Sequence, residues 1–175
     1  MPNIEFITDR NIYEKVILER IPFAKEFLWI GTSDMKDLYV SKNKKMVPFL
    51  EILSDLIKKG VSIRIIHAKE PGENYKKDFD KYHVLIKNIE MFLCPRIHFK
   101  SVIIDGRFAY SGSANLTGSG MGSKSKDKRN FESGFITDDP VLVGSIMSQF
   151  DQLWMGKHCK TCKRKEYCFE HKKFL

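Results

Sequence analysis

Runs of apolar residues and runs with helical spacing take turns along the first half of the chain. Phe27-Leu28-Trp29-Ile30 is an unbroken apolar run closed by Gly31, the pattern of a strand buried on both faces. Val61 to Ile66 and Ile89 to Leu93 read as two further strands. Between them the period changes. Val47 to Lys59 carries Phe49, Leu50, Leu53, Leu56 and Ile57 on one stripe and meets Gly60 where a helix has to stop. Asn11 to Lys25 predicts an earlier helix with an apolar face through Val16, Ile17 and Ile21, and with Thr8 or Asp9 placed to cap it. Pro71 to Asn74 reads as a loop and Asp78 to Ile86 as a short helix. The last long helix is Pro140 to Trp154, where Leu142, Ile146, Phe150, Leu153 and Trp154 form the stripe. Helix and strand alternate, and antiparallel signals follow in the second half. The expected fold is therefore α/β, a mixed β-sheet flanked by helices, with no internal repeat.

Composition narrows the class. With 175 residues, 42% of them hydrophobic and 30% charged, the chain matches one ordinary globular domain with enough apolar surface for a core. No apolar stretch approaches the roughly 20 residues of a bilayer crossing. Met1 to Arg10 carries Glu5 and Asp9 and no long apolar run, so no secretory signal is expected and a cytoplasmic location is.

Charge matters through its placement. Of the net charge of +8, residues 157–175 supply seven Lys or Arg against two Glu, and residues 119–130 supply four against one Asp. The rest of the chain is balanced. A neutral body with two basic patches is the distribution expected of a protein with a polyanionic partner.

The chemistry concentrates in residues 97–115, IHFKSVIIDGRFAYSGSAN. Asp105-Gly106 between two apolar strands is a strong hairpin signal, because both residues tolerate the positive φ of a type I′ turn. A two-residue turn there opposes Ile104 to Arg107, Lys100 to Ser111 and His98 to Ser113. Alternation then sends His98, Lys100, Ser111, Ser113 and Asn115 to one face. An imidazole, an ammonium, hydroxyls and an amide suit an anion and not an apolar core. A phosphate presents oxygens to Lys100, Ser113 and Asn115, and neutral His98 can attack phosphorus. Gly112 allows close backbone approach beside the site.

His98, Lys100, Asp105, Gly112, Ser113 and Asn115 resemble the HKD signature of the phospholipase D superfamily, HxK, four residues, Asp, six residues, GSxN, with no departure in spacing. The resemblance implies a phosphohistidine intermediate on His98, phosphate binding by Lys100 and Asn115, and a downstream acidic residue that orients the histidine. Asn130-Phe131-Glu132 looks like that downstream element, which assigns the orienting role to Glu132. Asp105 is read as a turn residue with little direct chemistry. The likeness covers residues 97–136. Most members carry two such motifs, one histidine attacking while the other protonates the leaving oxygen. This chain has one complete copy, so a homodimer with a composite site is expected, as in the single-motif nucleases and cardiolipin hydrolases of the family.

Domain organisation follows: residues 1–156 form the phospholipase D-like catalytic domain, and residues 157–175 form a small basic Cys/His-rich tail. In CKTCKRKEYCFEH the residues Cys159, Cys162, Cys168 and His171 make a Cys3His set suited to a structural zinc. An iron–sulfur cluster with Cys94 as fourth ligand is the alternative. Neither takes part in the HKD chemistry, which needs no cofactor.

The leading expectation is a metal-independent endonuclease acting on DNA or RNA, with Lys124, Lys126, Lys128 and Arg129 gripping flanking phosphates. A phospholipase or cardiolipin hydrolase is the second reading, and a non-catalytic nucleic-acid-binding module the third.

Overall fold

A computed structural model describes residues 3–168. The chain opens with β1 (Ile4–Thr8), a short α1 (Arg10–Ile12) that widens into a π-helical turn over Tyr13–Leu18, a 3-10 turn at Ile21–Phe23, and β2 (Phe27–Thr32). A hairpin of β3 (Tyr39–Lys42) and β4 (Lys45–Pro48) leads into α2 (Phe49–Lys58), β5 (Ser62–His67), α3 (Glu73–Phe79), α4 (His83–Asn88) and β6 (Ile89–Leu93). Then come β7 (Lys100–Ile104), β8 (Phe108–Gly112), β9 (Ser133–Thr137) and α5 (Pro140–Trp154).

Seven strands form one mixed sheet in the order β1-β9-β8-β7-β2-β5-β6. The β2, β5 and β6 strands run parallel to one another, and the remaining pairings are antiparallel. Helices cover both faces, as the alternating pattern predicts. On one face Leu28, Ile30, Ile63, Ile65, Val102 and Tyr110 pack against apolar residues of the N-terminal helical turns and α2. On the other, Ile103, Ala109 and Ile66 meet Val143 and Phe150 of α5, and Trp29 stacks on Phe150 at 5.1 Å between centroids. The Asp139 carboxylate accepts from Val141 N and Leu142 N, and with Pro140 in the first turn it starts α5 where the sequence places it.

The first helix departs from expectation. Pro22 in the 3-10 turn breaks the predicted 11–25 segment, and Asp9 does not cap α1 with its side chain. Asp9 adopts φ +46° and gives its carboxylate to Glu132 N at 2.9 Å. The expected Asp78–Ile86 helix is two short ones, α3 and α4, with Asp80 to Tyr82 between them.

The β7–β8 turn differs in a way that affects the site. Ile104 pairs with Phe108, so the turn has three residues, Asp105, Gly106 and Arg107, and Lys100 pairs with Gly112 while Ser101 faces Ser111. Asp105 and Gly106 hold the positive φ values expected, +53° and +63°, but the extra residue reverses the parity. Ser111 therefore lies on the face opposite Lys100. The predicted one-face alignment fails at Ser111, and Ser113 and Asn115 lie beyond the end of β8.

Because these strands alternate in direction, the heads of β7 and β9 and the tails of β1, β2 and β8 gather at one end of the sheet. His98, Ser113, Asn115 and Glu132 all sit on connections at that end.

Candidate active site

Lys100 opens β7 and is 6% exposed. Its Nζ donates to the His98 carbonyl at 2.6 Å, curling the two motif residues together. Burial lowers the Lys100 pKa by more than the nearby Glu132 charge raises it. His98 itself is exposed. Phe99, between them, is seated on β2, where a Cβ at Gly31 would lie 2.3 Å from Phe99 Cε2. The bare backbone at Gly31 thus receives Phe99 and holds the His98 segment to the sheet.

Asn115 is fixed from the β2 side. Its Oδ1 accepts from Ser33 N at 3.1 Å and Asp34 N at 3.2 Å, and Thr32 Oγ1, which donates to Asp34 O at 2.9 Å, lies 3.4 Å away. Fully buried Thr32 also accepts from Leu116 N at 3.0 Å. With its oxygen committed, Asn115 is left with the two amide hydrogens as the donors it can offer an anion.

Glu132 lies immediately ahead of β9. Ser113 Oγ donates to Glu132 Oε2, Asn130 Nδ2 donates to Oε1 at 3.0 Å, and Asp9 and Glu132 exchange backbone-centred bonds, Asp9 N to Glu132 O and Glu132 N to Asp9 Oδ1, both 2.9 Å. Ser113 Oγ in turn accepts from Ser133 N at 3.1 Å. Ser113 therefore positions the carboxylate in this structure. Among the described residues no hydrogen bond joins Glu132 to the His98 ring. The structure brings Glu132, Ser113 and Lys100 into one electrostatic neighbourhood and sets His98 next to Lys100.

Two motif residues serve the scaffold. Asp105 is more than a turn residue: its carboxylate accepts from Lys25 N, Glu26 N and Phe27 N at 2.9, 2.8 and 2.9 Å, tying the turn to the head of β2. Burial raises the Asp105 pKa, but these N–H groups together with Arg107 outweigh it and leave it below the ordinary carboxylate value. Gly112 makes room for protein and not for a ligand, since a Cβ there would lie 2.4 Å from Tyr110 Oη and 2.5 Å from Ser133 O.

The basic loop leaves Asn115 and returns to Glu132. Asn130 N to Ser119 O, 3.2 Å, closes it; buried Met121 plugs it, and the Arg10 guanidinium donates to Gly122 O at 3.2 Å. Lys124, Lys126 and Lys128 are exposed and Arg129 is half-buried. Asp9, Arg10, Lys126, Arg129, Asn130 and Phe131 line a groove, one wall of which, Asp9, is bonded to Glu132, and Phe131 is 97% exposed.

Sequence reasoning missed Asp9, Thr32 and Gly31 as supports of the site. Gly31 closing an apolar strand was the visible signal; the roles of Asp9 and Thr32 depend on contacts across more than eighty positions of chain. His67, with Lys69 two residues on, does not make a second catalytic pair. It is buried at the end of β5 with Nδ1 2.7 Å from the Lys69 carbonyl.

In the tail, Cys159, Cys162 and Cys168 line a single pocket, and Cys94 lines it with them; His171 lies outside the described residues. Among the described residues no three His, Cys, Asp or Glu side chains are placed to hold one metal ion.

The fold is α/β, and at this sheet end an exposed histidine lies beside a buried lysine, with an anchored asparagine and a serine-bound carboxylate on the neighbouring connections. The chain belongs to the phospholipase D superfamily: the family model described as "Cardiolipin synthase, PLD-like domain" matches residues 17–154. Over 107 residues it is 30% identical to the mitochondrial cardiolipin hydrolase of Chlamydomonas reinhardtii, covering 59% of this chain and 44% of that protein's length. NucT from Helicobacter pylori shares the fold with a TM-score of 0.65 at 17% identity, over 89% of this chain and 97% of NucT. The phospholipase D family member Nuc from Salmonella typhimurium does so with 0.61 at 16% identity, over 88% and 95%. Among the described residues no helix is long and apolar enough to cross a membrane.

Proposed function

We propose that this protein is a phosphodiesterase that cleaves nucleic acid through a covalent intermediate on His98, at a site completed by a second copy of the chain. The observation that carries the nucleic-acid reading is the groove walled by Asp9, the partner of Glu132, where Lys126 and Arg129 stand beside fully exposed Phe131. Cations that track a phosphate backbone, next to an aromatic face on which a base stacks, are the elements of a single-strand binding surface.

In the proposed reaction, Lys100 and the Asn115 amide bind the non-bridging oxygens. A His98 ring nitrogen forms a bond to phosphorus as the bond to the leaving oxygen breaks, and that oxygen takes a proton from the second copy's His98. Water then attacks phosphorus, giving its proton back to that histidine as the phosphorus–nitrogen bond breaks. Glu132, held by Ser113, supplies the negative charge that favours the imidazolium form. Two histidines are required and one chain supplies one, which is the argument for the dimer. Neither proton transfer nor nucleophilic attack calls on a metal.

The test is hydrolysis of labelled single-stranded DNA, duplex DNA, RNA and cardiolipin in EDTA, by wild type and by His98→Ala. Cleavage of nucleic acid that His98→Ala loses while it still binds the substrate supports the reading. Equal cleavage by the variant overturns the role of His98. Sedimentation should give about twice the chain's 20.4 kDa, and full activity in a monomer overturns the composite site. Cardiolipin cleavage without nuclease activity establishes the second reading, which the 30% identical cardiolipin hydrolase favours. Binding without any cleavage establishes the non-catalytic one.

A further inference from the structure

Four cysteines from two segments far apart in sequence line one cavity on the side of the sheet that carries α5. Cys94 follows β6, and Cys159, Cys162 and Cys168 follow α5, yet all four line a cavity of about 120 Å³ together with Phe92 and Leu153. None is in a disulfide. Cys168 Sγ also donates to Leu93 O at 3.4 Å, which docks the end of the tail on the last residue of β6.

Hydrogen-bond donors and cations stand around the cavity. Backbone N–H groups of Arg96 and Ile97 bear on the Cys94 sulfur, and that of Arg164 bears on Cys162, in each case from residues two or three positions further on. The Arg96 side chain also donates toward Cys162, and Lys165 lines the cavity. Hydrogen bonds to sulfur and nearby cations are the means by which proteins hold thiolate clusters of net negative charge.

The arrangement discriminates between a single ion and a cluster. Four thiolates around zinc must converge to Zn–S distances of about 2.3 Å. Among the described residues no three of these donors are placed to hold one ion, and the cysteines line a cavity with partly apolar walls. We propose that Cys94, Cys159, Cys162 and Cys168 ligate a [4Fe–4S] cluster that clamps the tail to the segment leading into His98. This is the alternative that the sequence left open beside a zinc on Cys159, Cys162, Cys168 and His171. The clamp has a plain mechanical consequence, because Cys94 is only four residues before His98 and its N–H is already fixed to His67 O at 2.8 Å. No electron transfer is asked of the cluster, and the assignment stands or falls independently of which phosphodiester the protein cleaves.

The experiment is anaerobic purification of the full chain, followed by visible absorption and iron, sulfide and zinc analysis. About four iron and four sulfide per chain, with the broad visible absorption of a cluster, is the expected result. Cys94→Ser should lose most of the iron, whereas His171→Ala and His158→Ala should keep it. One equivalent of zinc without iron overturns the cluster, as does colourless, metal-free protein with four titratable thiols. If Cys94→Ser does not fold, the histidine variants still decide: loss of iron in His171→Ala returns the fourth ligand to the tail and overturns the role of Cys94.

Discussion

Ser113 Oγ donates to Glu132 Oε2, linking the residue after β8 to the residue before β9 at the end of the sheet where Lys100 begins β7. The bond aims the carboxylate, while Asn130 occupies its other oxygen. If Glu132 stabilises the imidazolium of His98, Glu132→Gln keeps the shape and removes the charge. It should lower kcat by about 10²- to 10³-fold with little change in KM. Ser113→Ala, which removes only the positioning bond, should cost about tenfold. Steady-state kinetics on both variants checks the order. A larger loss in Ser113→Ala than in Glu132→Gln contradicts the assignment.

Lys100 gives the pH dependence. Its pKa is lowered by burial, so it loses its proton at a lower pH than a free lysine and takes the phosphate-binding charge with it. The rise in KM on the alkaline side should begin below the ordinary lysine value of 10.5. Lys100→Arg, which keeps its charge, should shift that rise to higher pH even where it lowers the maximum rate. KM measured across alkaline pH tests this, and an unchanged alkaline limb in Lys100→Arg contradicts it.

Asp105 is predicted to be a stability residue. Its carboxylate receives three backbone N–H groups, so Asp105→Ala should cost about 2 kcal/mol or more at neutral pH and should not alter the pH profile of turnover. Its folded pKa lies below the unfolded one, so the stabilisation is present above the ordinary carboxylate range and is lost as pH falls through the lowered folded value. Denaturant curves for wild type and variant should converge in acid.

The loop lysines test the substrate class. Replacing Lys124, Lys126 and Lys128 with Ser should weaken nucleic-acid binding uniformly across sequences and flatten the salt dependence by about two units of log–log slope. Binding titrations at several salt concentrations give the slope. Unchanged affinity and slope contradict the nucleic-acid reading.

What was legible in the sequence follows the range of the interactions. The apolar run Phe27 to Ile30, the stripe of α5 and the Asp105-Gly106 turn are local, and the structure shows a strand, a helix and a turn there. The π-helical turn after α1 and the break at Pro22 were hidden because the apolar face of Val16, Ile17 and Ile21 suggested one continuous helix. The β3–β4 hairpin turns through Asn43 and Lys44, both at positive φ, without the glycine that announces such turns. Motif residues could be named from spacing alone, but their faces could not. One extra turn residue, Arg107, moved Ser111 away from Lys100. The carboxylate supports at Glu132 and the cage around Asn115 come from remote backbone, beyond what spacing records.

The central claim is that His98 bonds to phosphorus during turnover. The most direct measurement is to denature the protein rapidly at alkaline pH during turnover, which preserves phosphohistidine, and to search its peptides by mass spectrometry. The expected result is a phosphoryl or nucleotidyl adduct on His98 that decays as product forms and is missing from His98→Ala. Sustained hydrolysis by wild type with no adduct on His98, and undiminished hydrolysis by His98→Ala, would contradict the account.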